Sequence, residues 1–76
     1  MNKEKRKELS DAIKVMESAR DIVASVRDRE TDCLDNMPEN LETSERYTAI
    51  ESAIDFMDEA IDKIDEACNY IADAMN

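Results

Sequence analysis

The apolar residues of this chain recur with a helical period and not with the two-residue alternation of a strand. In the first half, Leu9, Ala12, Ile13, Met16, Ala19, Val23 and Val26 mark one stripe, widened by Val15 and Ile22. The second half is stricter. Tyr47, Ile54, Ile61, Cys68 and Met75 fall every seven residues, and Ile50, Met57, Ile64 and Ile71 fall every seven between them. Ala53, Ala60, Ala67 and Ala74 form a third row beside these, with Phe56 and Tyr70 at the border of the stripe. Heptads with a small-residue row predict helices that approach closely. Glu51, Asp55, Asp58, Glu59, Asp62, Asp65, Glu66 and Asp73 take the opposite arc, the position of a solvated face.

Between the halves runs Asp35-Asn36-Met37-Pro38-Glu39-Asn40-Leu41-Glu42-Thr43-Ser44-Glu45-Arg46. Pro38 ends the first helix, because its ring restricts the residue before it and clashes within a continuing helix. Asn36 followed by Glu39 has the spacing of a capping box, which predicts one short helical turn over 38–41. Thr43 or Ser44 is the natural N-cap of the second long helix. The chain is therefore expected to be all-α. Helix 1 spans about 3–35, the connector 36–43 and helix 2 about 44–75, and the two helices fold back as one antiparallel hairpin. In such a hairpin residue i faces roughly residue 79−i, which puts Cys33 near Arg46 and Cys68 near Asp11. The cysteines then lie about 30 Å apart, beyond disulfide reach.

A lone hairpin leaves such broad stripes half covered, and chains of this size seldom build enough core alone. Pairing two hairpins into a four-helix or larger bundle buries both. The residues expected in that oligomer core are Met16, Val23, Ile50, Ile54, Met57, Ile61, Ile64 and Ile71.

Composition then removes whole classes of chemistry. The 76 residues include no Gly and no His. Without Gly there is no phosphate-cradling loop and no EF-hand turn. Without His there is no imidazole base, no His-containing zinc site and no Ser-His-Asp triad. Two cysteines are too few for a disulfide framework or a metal site, and they fall at apolar positions expected of inert thiols. Neither metal nor cofactor is expected, and the chain reads as non-enzymatic. The start, Met1 to Lys7, is charged and leads into no apolar run, so no signal peptide and no membrane span are expected, and the location expected is the cytoplasm.

Charge is unevenly shared. Residues 1–35 carry eight basic and nine acidic groups, whereas 36–76 carry two basic and eleven acidic, within a net charge of −10. Such a field disfavours direct binding to nucleic acid or anionic lipid and leaves a basic protein as a possible partner. The candidate ligand-binding residues are the few cations that break this pattern. Arg46 lies in the first turn of helix 2, where the dipole disfavours a cation; a bound anion would explain it, with Ser44 and the free N–H groups converging there. A salt bridge to Asp32 or Asp35 explains it more simply. Tyr47 is a stacking platform or, by preference, the first core residue. Arg20 and Arg27, seven apart at the stripe's margin, suit phosphates in an inter-subunit pocket, although pairing with Asp55, Asp58 or Glu59 is the plainer expectation.

The connector from Asp35 to Leu41, then Ser44-Glu45-Arg46 and the Ile/Ala/Asp heptads, resembles a group of small helical proteins of phages and prophages of gut bacteria. The resemblance implies a phage accessory protein. Small oligomeric phage proteins include antagonists of host defence, some sequestering nucleotide signals and some blocking effector proteins. Three readings follow: an oligomer holding a small anionic, nucleotide-like ligand between subunits; an acidic module that inhibits a basic or nucleic-acid-binding partner; and a purely structural bundle. The first stands slightly ahead on the sequence.

Overall fold

The structure, a computed structural model, describes residues 1–41 and 44–76. Helix α1 spans Lys3–Asp35, a single 3-10 turn follows at Glu39–Leu41, and helix α2 spans Glu45–Ala74. The helices pack against each other as an antiparallel hairpin 59 Å long and 15 by 13 Å across its backbone. No strand occurs among the described residues. The all-α hairpin is thus as the heptads predict, with boundaries within a residue of those expected.

Each helix end has a chemical reason. Asn2 caps α1 by accepting from the Lys5 N–H at 2.8 Å, and Glu4 sits in the first turn, where the dipole favours an acid. Ser44 caps α2, its Oγ accepting from the Tyr47 N–H at 3.1 Å. The alternative cap, Thr43, lies outside the described residues.

The capping box expected of Asn36 and Glu39 is not the role Asn36 plays. It turns back and closes α1: its backbone N–H and its Nδ2 both donate to the Asp32 carbonyl, at 3.1 and 2.8 Å. The last carbonyls of a helix have no partner within it, and a chain without Gly lacks the usual left-handed cap. No described residue has a positive φ. Asn36 stands at φ −92°, ψ 1°, an unstrained way to end the helix. Pro38, with no N–H, removes one of the donors that a forward-facing Asn36 would have capped.

The contact line between the helices is narrow. Among the described residues only Ile50 and Ile61 are buried, at 8% and 4% exposed. Met16, Val23, Ile54, Met57, Ile64 and Ile71 are half-buried. All eight residues expected in an oligomer core therefore line the seam within one hairpin. Ile61→Glu would place a carboxylate at the best-covered position, with a penalty of several kcal/mol for burying an unpaired charge. Its circular dichroism melt should fall far below the wild type, and an unchanged melt would put Ile61 off the seam. Ser44→Ala should cost about 1 kcal/mol by loss of the cap, seen in the same melt.

Candidate functional site

A helix turns by 100° per residue, so each seam position has one neighbour on either side of the contact plane. In an antiparallel pair, the residues that precede seam positions fall on the same face of the hairpin in both helices. Those that follow fall on the other. This bookkeeping divides the molecule into two unlike surfaces.

The face of following residues is charged. It carries Glu17, Asp21 and Asp28 from α1, and Glu51, Asp55, Asp58, Asp62 and Asp65 from α2. Arg20 and Arg27 occupy seam positions and reach across to it. Arg20 Nε donates to Asp65 Oδ1 at 2.6 Å, with Asp21 also near at 3.8 Å. Arg27 Nη1 donates to Asp58 Oδ1 at 2.9 Å and Nη2 to Asp28 Oδ1 at 3.2 Å. Hydrogen bonding to Asp65, reinforced by its charge, raises the Arg20 guanidinium above its ordinary value. Hydrogen bonds to Asp58 and Asp28 do the same for Arg27. Both are thus fully charged at any pH below the ordinary arginine range.

Pairing with an aspartate is the plainer expectation, and it is the one observed. The partner of Arg27 is among those expected, whereas Arg20 takes Asp65, further along α2. The cause is side-chain direction. Helical side chains lean toward their own N-terminus, so an arginine of α1 reaches toward the C-terminal part of an antiparallel α2. Both pairs join residue i to residue 85−i, beyond the expected 79−i. The same shift places Cys68 with Ile13, Glu17 and Arg20 in an open groove of about 610 Å³, not with Asp11. Asp58 is half-buried at the seam margin, where a fully solvated arc was expected.

The hairpin end holds a smaller cleft of about 450 Å³, lined by Cys33, Asn36, Met37, Pro38, Ser44 and Arg46. Cys33 and Arg46 do meet here, as expected. The bridge from Arg46 to Asp32 or Asp35 does not form: Arg46 is exposed and makes no ion pair with a described residue. Asp32 is engaged instead through its carbonyl, by Asn36. Tyr47 is half-buried, consistent with the first layer of the seam. The arginines proposed for one ligand are thus divided, two spent on aspartates along the seam and one at the turn. Among the described residues, no group of three Cys, Asp or Glu side chains is placed to hold a metal ion, and no helix is long and apolar enough to cross a membrane.

The face of preceding residues is apolar and open. Val15 is 70% exposed, Ile22 66%, Phe56 73% and Tyr70 68%. Ala19 and Val26 complete the row on α1, and the alanine row completes it on α2, with Ala60 and Ala74 exposed and Ala53 and Ala67 half-buried. Lys63 is the lone charge in the α2 row between Ala53 and Ala74. The heptads contain this signal, since Val15 and Ile22 precede Met16 and Val23, and Phe56 and Tyr70 precede Met57 and Ile71. Only the antiparallel pairing shows that both rows share one face.

Arg20→Ala and Arg27→Ala should each lower the melting temperature slightly, with the difference shrinking in high salt, because the arginines are about one-third and their aspartates about half exposed. A large loss unaffected by salt would instead make them essential to the seam. No family model matches this sequence, and neither a curated protein nor a solved structure matches it.

Proposed function

We propose that this chain is a non-enzymatic interaction module, which self-associates through its apolar face and presents an acidic exterior to a basic protein partner. The observation that carries this reading is the segregation of the two faces: large apolar residues stand open on one side, while the acids crowd the other. An ordinary monomer rarely leaves aromatic and β-branched residues contiguous and exposed, and such a patch marks an interaction surface. The acidic side attracts cationic surfaces and repels nucleic acid.

This order reverses the one favoured on the sequence alone. A nucleotide-like ligand needs free cations, and Arg20 lies in a groove with Glu17, Asp21 and Asp65, which repel an anion. Arg46 at the turn keeps that ligand as the second reading, because its charge meets no described acid. The resemblance of the connector supplies the setting we propose, a phage accessory protein that blocks a host protein in the cytoplasm.

Light scattering at micromolar concentration should give at least twice 8.7 kDa. Added salt should strengthen self-association by screening like charge, and weaken capture of a basic partner for the same reason. Reversing charge with Asp55→Lys and Asp62→Lys should abolish that capture without dissociating the oligomer. A folded monomer would overturn the self-association. In a thermal-shift screen of mono-, di- and cyclic nucleotides, no stabilisation is expected. A rise of several degrees, lost in Arg46→Ala, would restore the ligand reading.

A further inference from the structure

We propose that the apolar face is occupied by a second copy of this chain, arranged with both turns at the same end, so that α1 of each copy packs on α2 of the other. This rests on the self-association proposed above and adds the surface and the orientation.

The area fits a second copy. A compact protein of this mass exposes about 4,700 Å². This hairpin exposes 5758 Å², an excess of roughly 1,000 Å². A standard interface removes about 800 Å² from each partner. The alanines flanking Phe56 and Tyr70 leave room for a facing helix to approach, and the aromatics supply the bulk between them.

Two arrangements join identical faces with two-fold symmetry. With turns at opposite ends, α1 lies on its own copy and α2 on its own copy. With turns at the same end, each α1 lies on the other chain's α2. Charge separates the two. Helix α2 has nine acids and two bases, a net of −7, whereas α1 has nine acids and eight bases, a net of −1. Stacking α2 on α2 concentrates the repulsion, and crossing α1 with α2 divides it. The axial levels agree as well. Tyr70 lies five residues beyond Asp65 and Val15 five before Arg20, so the Arg20–Asp65 pair sets both at one height. Phe56 lies two residues before Asp58, at the height of Arg29 and one helical turn from Val26, because Asp58 pairs with Arg27. A two-fold axis parallel to the helices preserves these heights. Tyr70 of the partner subunit then meets Val15, and Phe56 of the partner subunit lies against the Val26 to Arg29 turn.

The test places one spin label per chain at the turn, in full-length Asn40→Cys with Cys33→Ala and Cys68→Ala, and measures the label separation by pulsed dipolar spectroscopy. Same-end packing should give less than about 30 Å, since helix axes in a bundle lie about 8–10 Å apart. Opposite turns would give a separation near the 59 Å length of the molecule, overturning the orientation while leaving self-association intact. A monomer would overturn both. Two further variants, Ile22→Lys and Phe56→Lys, should weaken association roughly a hundredfold or more while helical content is kept, because both side chains are exposed within one hairpin. If either variant assembles like the wild type, this face is not the interface.

Discussion

Two helices share one line of contact, and that geometric limit governs this molecule. A helix pressed against a single neighbour covers about a third of its circumference, so a residue off the line keeps much of its surface in water. Even the best-covered described residue, Ile61, sits beside half-buried neighbours, and no described side chain is fully enclosed. With so little enclosed, the chain cannot offset the entropy of ordering through its own core alone. On the self-association proposed above, the apolar rows beside the seam are the surface that would recover the deficit.

The seam also gives up apolar contact at two positions. Arg20 and Arg27 stand where a coiled coil would place Leu or Ile, and each reaches out to an aspartate on α2. Pairs this exposed add little stability. They do not fix the register, because Glu51, Asp58 and Asp65 recur every seven residues and an α2 slipped by one repeat would offer Arg20 the Asp58 carboxylate and Arg27 that of Glu51. The two ion pairs hold the acidic side of α2 turned to one face, leaving the α2 row of Ala53, Phe56, Ala60, Lys63, Ala67, Tyr70 and Ala74 free of acid.

Helix positions and caps were legible in the sequence, because period, Pro38 and Ser44 act locally. The fate of Asn36 was not. Its side chain serves either the helix behind it or the turn ahead, and the choice depends on which orphaned groups lie within reach. The arginine partners were legible in kind but not in position, since side-chain lean adds several residues to a register counted along the backbone. Arg46 was misjudged for a related reason: a hairpin register that brings it near Asp32 and Asp35 does not settle whether an exposed guanidinium at a helix start turns toward them. The open face was the largest omission. Its residues sit in plain heptad order, but whether two rows on different helices share a side depends on the antiparallel pairing.

Charge and shape then work at different ranges. Repulsion between acidic chains extends over a screening length of about 8–10 Å at moderate salt, whereas apolar contact acts only where surfaces touch. Distributing acids around the whole hairpin would have put charge into every possible interface. Keeping them out of the α2 row that precedes the seam leaves that side open to close approach, with Lys63 as the row's single cation between Ala53 and Ala74. A lysine suits that position, because its stem packs along apolar surface while its ammonium stays in water beside Glu66, at 3.7 Å. The separation of faces thus permits a strongly acidic chain to carry an exposed apolar surface, and the acids that give it charge need not oppose the self-association proposed for that surface.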